Sequence, residues 1–142
     1  MFRGIRADQR DYQSSFHKHY HSYLNGNDDH KISEISRLLL LVYCVESGLK
    51  CILMRNARIF SLEKASDELS SLLASHNFEL LLIRLPKSGY RFPPFKTKHG
   101  DQINANTFHQ LCRYSIPSDD KDMIQQYQRQ LEKIAEWLNE KV

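Results

Sequence analysis

The feature that most constrains this chain is the run from Ile32 to Met54. Ile32, Ile35, Leu39, Val42, Leu49 and Leu53 fall on one helical stripe there, while Leu38, Leu41, Val45 and Ile52 widen it. A helix that is apolar over so much of its surface must be wrapped by other elements, so this segment is predicted to be the central one of its fold. One residue breaks the pattern. Glu46 stands between Val42 and Leu49, at a position that helix-bundle geometry buries.

The flanking segments supply helices to wrap it. Tyr12, Phe16, Tyr20 and Tyr23 recur at spacings of four, four and three, which puts four aromatic rings on one face of a first helix ending at Asn25-Gly26-Asn27-Asp28-Asp29. From Ser61 a shorter pattern runs through Leu62, Ala65, Leu69 and Leu72. It pauses at Ser75-His76-Asn77 and resumes with Phe78, Leu81, Leu82 and Leu85, predicting a kink or tight turn at the pause. Between Pro86 and Asn106 the periodicity is lost, and Gly89, Pro93, Pro94 and Gly100 predict one long connector. Thr107 to Tyr114 reads as a short helix. Pro117-Ser118 followed by Asp119, Asp120 and Asp122 reads as a capped start of the last one. Its Ile124, Tyr127, Leu131, Ile134 and Leu138 form the seam of nearly antiparallel packing.

The expectation is an all-α, up-and-down bundle of four to five helices, one domain over residues 1–142, with one long connector before the last helices. Apolar residues hardly ever alternate with period two, so no strand is predicted.

Charge and cysteine usage narrow the functional classes. The net charge is +3, a mild excess that permits contact with phosphates without demanding it. Cys44 and Cys51, seven residues apart on the predicted central helix, are too far apart to bridge, so reduced core thiols are expected. The longest apolar run, Leu38 to Val45, is far short of the roughly 20 residues that span a bilayer. Arg3, Arg6 and Arg10 open the chain without an apolar segment after them. A cytoplasmic protein without a membrane partner is the resulting expectation.

Glu46 leads the candidate site residues. Lys50 lies four residues onward in the favourable orientation, so one reading is an ion pair at the edge of the core and the other an acid lining a pocket. His17, His19 and His21 include a pair four apart, the spacing of a zinc-binding helix, but His19 points away and no acid or cysteine completes the set; no metal is expected. The connector interleaves Lys87, Arg91, Lys96 and Lys98 with Tyr90, Phe92 and Phe95, the mixture that holds phosphates while stacking unpaired bases. The same residues also anchor long loops. Ser14, Ser15 and Ser47 lack a His-Asp pattern or nucleophile elbow. There is no glycine-rich phosphate loop, and no cofactor is expected. Trp137 reads as a core or interface anchor.

Three elements carry a resemblance. Tyr43-Cys44-Val45-Glu46-Ser47-Gly48-Leu49-Lys50 resembles the signature on the second long helix of HEPN domains, where a tyrosine, a glutamate and a Leu-Lys pair recur. Ser75-His76-Asn77-Phe78 with Leu81-Leu82 resembles the His-Asp-Leu turn that opens their third helix, with Asn77 and Phe78 as variants. Leu111-Cys112-Arg113-Tyr114-Ser115 looks like the Arg-Tyr element before the final helix. In order and spacing the three cover roughly Ile32 to Val142.

The resemblance implies a bundle of four or five helices, a homodimer, and roles in toxin-antitoxin, phage-defence and RNA-processing systems, with a protein partner encoded nearby. Many members are metal-independent ribonucleases using an Arg and a His with four to six residues between them. Here Arg113 is followed by Tyr114, Ser115, Ile116, Pro117, Ser118 and two aspartates, so that His is missing. Arg10 and His17 have the required separation but lie on the first helix, outside the family's usual location. The preferred expectation is a HEPN-like module that binds RNA, a nucleotide or a partner protein through Glu46, Lys50, His76 and Arg113. The alternatives are an endoribonuclease using Arg10 with His17, or Arg113 with His109, and a purely structural dimerisation domain.

Overall fold

A computed structural model describes residues 6–26, 32–85 and 89–142. Among these, six α-helices dominate: α1 Gln9–Asn25, α2 Glu34–Asn56, α3 Asp67–Leu73, α4 Phe78–Leu82, α5 Phe108–Tyr114 and α6 Lys121–Lys141. The fold is an all-α bundle, and α2 is its centre, touching α1, α4, α5 and α6. No helix among the described residues is long and apolar enough to cross a membrane.

Five of these six helices start where a side chain satisfies free backbone N–H groups. Asp8 and Asp11 form a reciprocal capping box on α1. Ser33 accepts from Ser36 N on α2, and Ser66 from Leu69 N on α3. Asn77 Oδ1 accepts from Glu79 N and Leu80 N on α4, which makes the pause at Ser75-His76-Asn77 a true break between helices. At α6 the cap is Asp120, which accepts from Met123 N; Ser118 instead donates its hydroxyl to the Lys96 carbonyl and ties the connector down. The predicted end of α1 at Asn27, Asp28 and Asp29 lies outside the described residues.

Three long helices form the core. Phe16 and Tyr23 of α1 are fully buried, with Tyr12 and Tyr20 packed beside them. Contacts between α1 and α2 pair Ser15 with Ser47 and His19 with Tyr43, so the two run antiparallel. Gly48 permits this approach: a Cβ there would lie 2.7 Å from Leu138 Cδ1 and 2.8 Å from Phe16 Cδ1. Arg55 of α2 donates to the Lys141 carbonyl at the end of α6, and Gly48 faces Leu138, so α2 and α6 run in the same direction. The crossover between them is made by α3, α4, the connector and α5. Trp137 is half-buried against the core. Cys44, Cys51 and Cys112 are buried and free, and burial pushes the Cys112 thiol up to about 12, so it stays protonated.

Two expectations are corrected in the connector. A two-residue antiparallel ribbon forms where no strand was predicted, with Phe95 paired to Ile103 and Lys96 to Gln102. Each strand is too short to show period two, and the turn between them relies on Gly100 at φ +87°. Phe92, expected to stack bases, is instead buried, with Phe78 at 5.4 Å and Tyr127 at 5.1 Å between ring centroids. Its ring fills the core and has no free face.

Candidate functional site

Glu46 is buried, only 6% exposed, as its place on the stripe requires. Its partner is not Lys50. His76, thirty residues on, donates from Nδ1 to Glu46 Oε2 at 3.1 Å. The break between α3 and α4 fixes that imidazole: Ser75 Oγ accepts from Asn77 N at 3.0 Å, and Asn77 then caps α4. A buried carboxylate needs a donor of this kind, because leaving it unpaired costs several kcal/mol.

His109, on the first turn of α5, stacks on His76 with ring centroids 4.3 Å apart and planes at 28°. It is buried, whereas the His76 side chain is 44% exposed and reachable from solvent. Glu46 Oε1 and His109 Nδ1 are both sealed from solvent, with no hydrogen-bond partner among the described residues. Natural cores satisfy nearly all such atoms, so two orphans in one cluster mark a place not optimised for stability. Arg113 follows His109 by one helical turn, on the same face of α5. It is exposed, and first Tyr43, then Tyr114, hold its guanidinium above the ordinary value.

These charges share one neighbourhood. Burial first, then the facing His76, holds His109 below its ordinary value; Glu46 opposes this, while Arg113 and Lys50 add to the lowering. Lys50 is itself buried and held below the usual lysine value by desolvation, with Glu46 working against the fall. His76 thus touches both Glu46 and His109, and Lys50 and Arg113 lie within electrostatic reach of His109.

A pH dependence follows. The folded chain protonates His109 less readily than the unfolded chain, so below about pH 6.5 the unfolded state binds more protons and stability falls with added acid. Above that pH the contribution is constant. One such group gives a slope of at most ~1.4 kcal/mol per pH unit, and His19, lowered by burial, acts in the same direction. Urea midpoints measured from about pH 8 to about pH 5 are expected to fall, and His109→Gln to flatten the fall. An identical acid limb in the variant contradicts this assignment.

Across Glu46 from His76, a second set of side chains lines a cavity of about 270 Å³ between α1 and α2: Tyr12, Ser15, His19, Tyr43, Glu46, Ser47 and Lys50. Tyr43 thus stands between the cavity and Arg113. Sequence reasoning passed over Tyr12, Ser15, His19, Tyr43 and Ser47 as a site. The signal was present: Tyr12, Ser15 and His19 are spaced three and four apart, and Tyr43, Ser47 and Lys50 four and three.

The remaining candidates lie elsewhere. Arg10 and His17 are exposed on α1, and His17 Nε2 donates to a Val142 backbone oxygen at 3.1 Å. His21 accepts from Asn25 and His19 faces Tyr43, so the three histidines have separate surroundings. In the connector, Lys98 pairs with Asp119 at 3.3 Å, Lys96 and Arg91 are exposed, and Tyr90 is half-buried against the core. Lys87 lies outside the described residues. Tyr90 and Arg91 line a cleft of about 760 Å³, which reaches Asn77, next to His76. No family model, curated protein or solved structure matches the chain.

Proposed function

We propose that the chain is a HEPN-like helical module that binds RNA or a nucleotide by a phosphate group at the edge formed by His76, His109 and Arg113. One observation carries this reading. A buried carboxylate, Glu46, holds a half-exposed imidazole that stacks on a second imidazole, one turn before the exposed guanidinium of Arg113. Arg113 offers a planar fork of donors suited to phosphate oxygens, and His76 keeps Nε2 available while Nδ1 is engaged with Glu46. The exposed Arg91 and the half-buried Tyr90, in the cleft that reaches Asn77, offer a path for a longer strand. The resemblance extends the proposal to a homodimer in a cytoplasmic defence or toxin-antitoxin setting, with a protein partner.

The Glu46–His76 contact also favours a second reading, metal-independent RNA cleavage. A carboxylate that holds Nδ1–H leaves Nε2 as a base for the 2′-hydroxyl proton; O2′ then bonds to phosphorus, the P–O5′ bond breaks, and the leaving oxygen takes a proton from water. Arg113 would carry the phosphate charge.

Fluorescence anisotropy with a labelled single-stranded RNA, in chelator, tests both. Wild type is expected to bind, and Arg113→Ala and His76→Ala to bind about ten- to hundredfold more weakly with unchanged circular dichroism. Cleavage lost in His76→Ala but kept in His17→Ala supports the second reading. Binding unaffected by either site variant overturns the proposal.

A further inference from the structure

The cavity between α1 and α2 holds an unusual cation. Lys50 is only 7% exposed, and among the described residues its ammonium makes no ion pair or hydrogen bond. The nearest aromatic face is that of Tyr12, at 6.0 Å from the ring centroid, the outer limit of a cation–π contact. Burial of this side chain disfavours its charge and holds its pKa below the usual lysine value, with Glu46 working against the fall. Glu46 acts on it only at a distance: one oxygen is turned to His76, and the other is sealed from the solvent side. Lys50 lines the cavity.

Apart from Glu46, whose carboxylate has one oxygen held by His76 and the other sealed from solvent, the remaining lining groups are neutral. Ser15 and Ser47 hydroxyls lie 2.8 Å apart, so one proton is used between them and the second is free for a guest. Tyr12 and Tyr43 add phenolic hydroxyls, and the Tyr43 and His19 rings, 5.6 Å apart, wall one side. One cation with several hydroxyl donors suits a group with many acceptor oxygens, and a volume of about 270 Å³ limits the guest to roughly mononucleotide size.

We infer that this cavity binds a phosphomonoester, with Lys50 on the phosphate oxygens, the Ser15–Ser47 pair and Tyr43 as further donors, and a ring against His19. The inference rests on the proposed function only in taking the guest to be a nucleotide or a phosphorylated strand end. Arg113 and His76 then hold a phosphate on one side of Tyr43 and Lys50 another on its far side.

The test is a titration of the full chain with adenosine 5′-monophosphate, followed by amide NMR, beside adenosine and inorganic phosphate. The monophosphate is expected to move the Ser15, Ser47 and Lys50 signals and to bind at least about tenfold more tightly than adenosine. Inorganic phosphate is expected to move the same signals. Lys50→Gln is expected to lose about tenfold or more in affinity, and Ser47→Ala, which removes no buried charge, about threefold. Unmoved cavity signals, equal binding of adenosine and its monophosphate, or full affinity in Ser47→Ala and a folded Lys50→Gln overturns the inference. Arg113→Ala separates the two sites: cavity shifts that persist in it while RNA binding is lost support the cavity as a site of its own, and their disappearance overturns it. Absence of RNA binding by the unaltered chain, with the cavity shifts intact, refutes the proposed function alone. A 5′-phosphorylated oligonucleotide against its 5′-hydroxyl form then distinguishes a strand end from a free nucleotide as the source of the phosphate.

Discussion

Tyr127→Ala is expected to lower the stability of the chain by about 3–5 kcal/mol, read as a shift in the urea midpoint. Tyr127 is fully buried on α6 and is ringed by Phe108 at 4.7 Å, Phe92 at 5.1 Å and Phe95 at 5.2 Å. Its hydroxyl also approaches two connector carbonyls, those of Phe92 at 3.0 Å and Pro93 at 2.8 Å, and donates its proton between them. Burial raises its pKa, so it remains a donor. Truncation therefore opens a cavity and releases the connector together. Tyr127→Phe keeps the ring but strips both carbonyls of their donor, for which about 1–2 kcal/mol is expected. Since a domain has only ~5–15 kcal/mol in total, the alanine variant loses about a fifth or more of that reserve. An alanine variant within about 1 kcal/mol of wild type contradicts this packing.

Glu46→Met is expected to act oppositely on stability and binding. Glu46 Oε1 is buried without a partner, and the His76 side chain, 44% exposed, is rehydrated when the carboxylate is removed. An apolar side chain of similar length then relieves an unsatisfied buried charge, at the expense of the acid that favours the charged form of Lys50. Stability is expected to stay level or to rise by up to about 2 kcal/mol in thermal or urea unfolding. RNA affinity is expected to fall about tenfold or more, because His76 is no longer held. A variant that unfolds more easily while binding RNA normally makes Glu46 a structural residue and removes it from the site.

The bundle was legible because α1, α2 and α6 each bury one stripe, and a stripe is a property of local spacing. Tyr12 to Tyr23, Ile35 to Leu53 and Ile124 to Leu138 all lie where their periods put them. Glu46 was legible as an anomaly for the same reason. Its partner was not. Lys50 is fixed relative to Glu46 by helix geometry and so suggests itself, whereas His76 arrives from a turn thirty residues away, and no spacing rule reaches across that distance.

The connector shows a second limit. Basic and aromatic residues interleave identically whether the rings face a base or the core, and only packing against Phe78 and Tyr127 assigns Phe92 to the core. The cavity shows a third. Tyr12 and Tyr43 share helices with the core rings, so their hydroxyl ends, and the serines beside them, were absorbed into an account of apolar faces. Two helices had to be brought together before Ser15 and Ser47 became one pair.

The most direct measurement is of the ring nitrogens of His76 and His109 by long-range ¹H–¹⁵N NMR, without and with a single-stranded RNA. The account predicts that His76 carries its proton on Nδ1, bonded to Glu46, and that the Nε2 signal and the Arg113 side-chain signals move as RNA is added. A His76 that favours the Nε2–H form, or ring signals that stay fixed while RNA shifts only residues 90–98 of the connector, would contradict it.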